Sequence, residues 1–212
     1  MDYVARLLAE KLLKINALKL QPNSPFVWAS GWNSPIYTDN RRTLSYPDVR
    51  SFIKVELTRL ILERFPQVQA VAGVATGAIA QGALVADLLN VPYVYVRSSP
   101  KDHGLENLIE GDLRQGQKVV VVEDLVSTGK SSLKAVEALR AAGSDVIGMV
   151  ALFTYGFPEA EANFAAAHVE LCTLSNYNAL LEVALETHFI SENDIETLRR
   201  WRTDPATWVP ER

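Results

Sequence analysis

Val119-Val120-Val121-Val122-Glu123-Asp124-Leu125-Val126-Ser127-Thr128-Gly129-Lys130-Ser131 is the stretch whose reading decides the fold. Four consecutive valines are stiff, β-branched and apolar on both sides, which suits a strand covered on two faces. That strand delivers two adjacent carboxylates to its end, where hiding both is costly. A turn of hydroxyls and glycine follows, and Lys130 opens a helix running to Ala142. Backbone N–H groups at a helix start, with the hydroxyls of Ser127, Thr128 and Ser131, suit a phosphate. Acids aimed at the same place suit sugar hydroxyls or, through water, a metal ion.

Working outward, the same alternation repeats. Apolar runs at Ala70–Val74, Tyr93–Val96, Lys118–Val122, Asp145–Phe153 and Val169–Leu174 read as strands. Helical segments lie between them at Ala78–Leu89, Lys130–Ala142 and Pro158–Ala167. Buried strands separated by helices predict a mainly parallel sheet flanked by helices, in an α/β fold whose ligands sit at the C-terminal strand ends. Upstream, residues 2–18 have the spacing of an amphipathic helix. Residues 20–46 are punctuated by proline, glycine and asparagine around short apolar pieces, which predicts turns and short strands. Pro47 opens a helix to about Phe65, with Phe52, Val55, Leu57, Leu60, Ile61 and Leu62 as its apolar side. The tail after Asn176 is helical over Ala179–Glu186 and Ser191–Trp201, the second started by Ser191-x-x-Asp194. The expected organisation is one domain over 1–212: an N-terminal helix and hood (1–46), an α/β core (47–175) and C-terminal helices (176–212).

Residues 98–116 interrupt this rhythm with three glycines, one proline and six charges. So long a loop inside a compact domain points to function, and its glycines would let it move.

The chain has 212 residues, 48% hydrophobic and 22% charged, which excludes a disordered or fibrous class. One cysteine, Cys172, excludes an internal disulfide, and in an apolar strand it reads as a small buried hydrophobe. The histidines at 103, 168 and 188 lack metal-ligand spacing. A net charge of −4 argues against coating nucleic acid, and no apolar run approaches a membrane span. A cytoplasmic protein with neither kind of partner is expected.

Gly129-Lys130-Ser131 invites comparison with a nucleotide P-loop, but that loop needs glycine five residues earlier, where Asp124 stands. A plain structural strand–turn–helix leaves two acids at the mouth of an all-valine strand unexplained. The pattern instead resembles the phosphoribosyl-diphosphate motif of the type I phosphoribosyltransferases. Phe26 to Gly31, Ser34-Pro35-Ile36-Tyr37, Asp39-Asn40-Arg41, Gly73 to Gly77, Arg97, Lys101-Asp102-His103-Gly104 and the tail around Trp201 to Pro205 extend the resemblance over nearly the whole chain. They are similar to the branch of that family that uses orotate.

The resemblance implies transfer of ribose 5-phosphate from 5-phospho-α-D-ribose 1-diphosphate (PRPP) to orotate, with Mg²⁺, in pyrimidine nucleotide synthesis. It implies that Glu123 and Asp124 hold the ribose hydroxyls, and that Leu125, Val126, Ser127, Thr128, Gly129, Lys130 and Ser131 wrap the 5′-phosphate. Thr76 and Gly77 would lie at the diphosphate. Arg97, Lys101 and His103 would neutralise the leaving diphosphate, with Lys101, His103 and Asp124 carrying catalysis. No direct protein ligand to Mg²⁺ is implied; the ion comes with PRPP, and a water-mediated contact from Asp124 stays open. Ser127 would touch the base, and Lys101 and His103 would reach a neighbouring subunit's site, making a homodimer with shared sites. A purine-using relative or a PRPP-sensing regulator that binds nucleic acid are the rival readings.

Three positions depart from the family pattern. Some members carry lysine where this chain has Ala29 or Gly77, and some carry arginine where it has Phe153-Thr154-Tyr155-Gly156. The partner of the orotate carboxylate therefore stays open between the backbone N–H groups of Ser34 to Tyr37, including Ile36, and Arg41, with Tyr37 stacking on the ring.

Overall fold

The structure is a computed structural model and describes residues 3–28, 31–99 and 108–210. Helix α1 spans Tyr3–Lys14. Strands β1 (Leu18–Leu20), β2 (Phe26–Val27), β3 (Asn33–Ser34) and β4 (Ile36–Thr38) follow, then a 3-10 helix over Asn40–Ser45 and α2 over Pro47–Arg64. The central region runs β5 (Ala70–Val74), α3 (Ile79–Leu89), β6 (Tyr93–Val96), β7 (Ile109–Glu110), β8 (Lys118–Val126), α4 (Lys130–Ala141), β9 (Asp145–Thr154), α5 (Pro158–Ala166) and β10 (Leu171–Asn176). Helices α6 (Tyr177–Glu186) and α7 (Glu192–Thr203) complete the order.

Six strands form the main sheet in the order β10-β9-β8-β5-β6-β7. All neighbours pair in parallel except β6 with β7. The valine run explains why β8 lies in the middle. Val120 and Val122 pack into the cluster that includes α1, α2, α6 and α7, while Val119 and Val121 pack into the cluster that includes α4 and Phe164 of α5. All four are fully buried, each contributing about 1.5–3 kcal/mol of transfer free energy. From β5 the chain crosses to β6 on one side and then to β8 on the other. The ends of β5 and β8 thus flank the point where the winding reverses, the place such sheets leave a crevice.

The hood, residues 18–45, is built from two antiparallel pairs, β1 with β4 and β2 with β3. Trp28, Tyr155, Phe157, Tyr177 and Trp201 bury it against the core through ring contacts of 5.3–5.7 Å. The polar edges of these rings bond the hood directly. Trp28 Nε1 donates to Ile36 O at 3.0 Å, Trp201 Nε1 to Asn33 O at 3.2 Å, and Tyr155 Oη to Thr38 Oγ1 at 2.8 Å. Buried aromatics with a satisfied polar tip fix orientation as well as burying area.

Several expectations need correcting. The first helix ends at Lys14 because Asn16 takes a left-handed φ of 55° and the Ala17 N–H reaches back to Leu12 O. The buried side of α2 is Val49, Ile53, Leu57, Thr58 and Ile61, whereas Val55 and Leu62 are exposed. The 98–116 segment contains β7, an antiparallel edge strand. Strand β8 continues to Val126, since its ladder to β9 persists through Leu125↔Phe153 and Val126↔Thr154. Strand β10 starts at Leu171, after His168 turns the chain with a φ of 52°. Cys172 is only half-buried, its thiol pushed up to about 11 mainly by burial and then by Glu170. The start of α7 is as read: Ser191 and Asp194 form a capping box.

Candidate active site

At the β5/β8 reversal lies a cleft of about 400 Å³. It is lined by Val74 to Gly77 after β5, by Glu123, Asp124, Leu125, Ser127, Thr128, Gly129 and Ser131 after β8, and by Thr38, Asp39 and Arg41 from the hood. Residues far apart in sequence thus share one wall because both loops leave the same edge of a parallel sheet. Val126 is buried beneath them, and the Tyr155 N–H and Thr154 hydroxyl both donate to its carbonyl.

The turn before α4 is tightly made. Gly129 occupies the N-cap with φ 79° and ψ −5°. A Cβ there would fall 2.6 Å from Phe164 Cε2, so glycine is needed for both conformation and space. Asn163 Nδ2 holds the turn from below through Thr128 O at 2.9 Å. No side chain caps α4, so its first N–H groups face the cleft with the positive end of the helix dipole. Lys130 points elsewhere and pairs with Glu159 at 2.7 Å. Across the cleft, a Cβ on Gly77 would collide with the Asp124 carboxylate, so glycine lets the β5 loop approach it.

The two acids play unequal parts. Glu123 is only 4% exposed, and both its oxygens are engaged: Oε1 accepts from the Asp124 N–H at 2.9 Å and Oε2 from Ser132 Oγ at 2.8 Å. Burial, then the charge of Asp124, pushes the Glu123 carboxyl well above the usual range. Burial also raises Asp124, though its bond with Glu123, its backbone and the Arg41 charge pull it back. Glu123 is thus the carboxyl held deep beneath the cleft and pushed up most, while Asp124 is the one that opens toward it.

Sequence reasoning missed a residue that ties hood to sheet. Asn40, almost fully buried, donates from Nδ2 to Asp124 O at 2.6 Å. Its own carbonyl accepts from Thr43 Oγ1 at 2.6 Å, and Gln81 Nε2 of α3 donates to that hydroxyl at 3.0 Å. The polar run Thr38-Asp39-Asn40 after an apolar strand was the available signal. Of the hood residues singled out in the sequence, Ile36 is fully buried and its N–H donates to Ser34 Oγ at 3.2 Å. Tyr37 is part-exposed and its ring lies 5.5 Å from that of Phe26. Arg97, beyond β6, lines an adjoining cavity of about 780 Å³ with Ser98, Ser131 and Lys134, and pairs with Glu110 at 3.4 Å. Lys101 and His103 lie outside the described residues. Among the described residues no cluster of His, Cys, Asp and Glu could cage a metal ion.

Residues 53–186, more than half of the chain, match the model of the phosphoribosyl transferase domain. A relative from Bacteroides fragilis named orotate phosphoribosyltransferase is 70% identical over 208 residues, covering 98% of each chain. The chain belongs to the orotate phosphoribosyltransferase family. Another orotate phosphoribosyltransferase, from Porphyromonas gingivalis, is 62% identical over 98% of this chain and 99% of its own. The crystal structure of orotate phosphoribosyltransferase from Aeropyrum pernix superposes with a TM-score of 0.75 at 32% identity, covering 87% of this chain and 99% of that one. The mainly parallel α/β sheet read from the strands, and the type I phosphoribosyltransferase fold that the resemblance implies, are the fold of the family.

Proposed function

We propose that this chain performs its family's reaction in the β5/β8 cleft, transferring ribose 5-phosphate from PRPP to orotate and releasing orotidine 5′-monophosphate and diphosphate. The observation that carries this reading is the convergence on one cleft of an uncapped helix start, the Asp124 carboxyl and the close Gly77 loop.

In this reading the 127–131 turn grips the 5′-phosphate through backbone N–H groups and the hydroxyls of Ser127, Thr128 and Ser131. The ribose hydroxyls lie on Asp124, with Glu123 behind it fixing the backbone. Displacement at the anomeric carbon spreads positive charge on the ribose and negative charge on the leaving diphosphate. A fixed carboxylate beside the sugar, and cations from Arg97, Lys101 and His103 at the diphosphate, gain strength as that charge develops. Thr76 and Gly77 let backbone approach the diphosphate, and Ser127 borders the base.

The donor set suits Mg²⁺ that arrives on the substrate rather than in a protein cage: among the described residues lining the cleft, Glu123 is engaged by the Asp124 N–H and Ser132 and Asp39 by Arg41, which leaves Asp124 for a hydrated ion. When bound, the ion neutralises diphosphate charge. The active form in this reading is a homodimer whose 98–116 segments serve each other's sites.

The test is loss of orotate absorbance in the presence of PRPP and Mg²⁺. Turnover dependent on both is expected; turnover of adenine or hypoxanthine but not orotate overturns the reading.

A further inference from the structure

We propose that Arg41 is the specificity-determining residue for the base, its guanidinium receiving the carboxylate that distinguishes orotate from uracil. The inference rests on the function proposed above. Its starting point is charge. Among the described residues lining the cleft Arg41 is the sole cation, facing Asp39, Glu123 and Asp124. A base that carries its own carboxylate would enter a pocket dominated by acids. Without a positive partner that entry is repelled and desolvates an anion for nothing.

Placement agrees with this role. The 5′-phosphate cradle fixes one end of the cleft and Asp124 its middle, so the base must lie toward the hood. Thr38, Asp39 and Arg41 form that end. Among the described residues the opposite wall supplies no cation there: Tyr155 is fully buried and its hydroxyl is spent on Thr38. The Lys130 ammonium is held by Glu159.

Arg41 is also oriented in advance. Its Nε donates to Asp39 Oδ1 at 2.7 Å, the bond that most raises its already high pKa, so the guanidinium stays charged. The bond at Nε leaves the two terminal amino groups to form a fork, the geometry that matches a carboxylate with two parallel bonds. The preceding residue, Asn40, is anchored on the Asp124 carbonyl at 2.6 Å. The backbone from which Arg41 extends is therefore held in fixed relation to the ribose-binding acid. A rigid attachment with a half-exposed head suits a group that must meet a substrate rather than close a core.

The test uses the full chain with Arg41→Ala and Arg41→Lys, both checked by thermal melting. Initial rates are measured with orotate and with uracil at saturating PRPP, and PRPP affinity is measured by calorimetry. Loss of a charge-assisted pair predicts a fall of about 10²-fold in kcat/KM for orotate in Arg41→Ala, carried by KM. Arg41→Lys, which keeps charge but loses the fork, should fall about 10-fold. Uracil turnover and PRPP affinity should stay within about 3-fold, so the preference for orotate over uracil collapses. An unchanged orotate KM, an equal loss with uracil, or a parallel loss of PRPP affinity each overturns the assignment. A wild-type chain that does not consume orotate overturns the function and the assignment together, whereas active wild type with unaffected variants overturns the assignment alone.

Discussion

Gly129→Ala tests the phosphate turn at its tightest point. Two costs follow from the structure. At φ 79° an alanine sits in the left-handed region, at about 1–2 kcal/mol. Its methyl would fall 2.6 Å from the Phe164 ring, which is itself buried, and displacing a packed ring costs about 1–3 kcal/mol more. The total, about 2–5 kcal/mol, lowers the melting temperature of a chain this size by on the order of 10 °C. Calorimetric melting checks the sum, and a cycle with Phe164→Ala separates its parts. Removing the ring costs roughly 3–5 kcal/mol alone, but in the double variant the collision vanishes, so the two changes should couple favourably by about 1–3 kcal/mol. The KM for PRPP should rise at least about 10-fold, because the N–H groups around residue 129 are displaced. A variant melting within about 1 °C of wild type, or a coupling near zero, refutes the claim that glycine is required here for both shape and room.

Glu123→Gln should stabilise the protein at pH 8. Its folded carboxyl is held above the unfolded value of about 4.3, so its favourable contribution is present below that value and is lost as pH rises. The gain should shrink toward pH 4, and denaturant titrations across that range would show it. Tyr155→Phe removes the bond to Thr38, should cost about 1 kcal/mol in the same measurement, and should loosen orotate binding more than PRPP binding. Mixing inactive Lys101→Ala and Asp124→Asn proteins should restore activity through hybrid dimers; no recovery, with subunit exchange verified, sinks shared sites.

Much of the fold was legible because the strands are continuous apolar runs and their separators are helical. The turn at 127–131 was legible as a strand–helix junction because glycine and hydroxyls between an apolar run and a helical segment mark one. Other parts were decided by contacts between distant residues. The face of α2 was misread because its apolar side chains surround the helix, and only packing against β9 and α3 chose Ile53 over Val55. The two residues of β7 are too few for a periodic signal and are defined by their antiparallel pairing with β6. Asn40 stood in the sequence only as part of the Asp39-Asn40-Arg41 run, yet its amide crosses to β8. The inequality of Glu123 and Asp124 depends on Ser132, nine residues downstream on the next helix, which no adjacent-pair pattern contains.

The aromatic clamp on the hood has a consequence in time. Trp201 bonds the carbonyl of Asn33, 168 positions earlier in the chain. At synthesis rates of about 5–20 residues per second, a nascent chain spends roughly ten to thirty seconds with its hood made and its anchor not yet polymerised. During translation the strands of the hood are thus finished long before the side chain that anchors them.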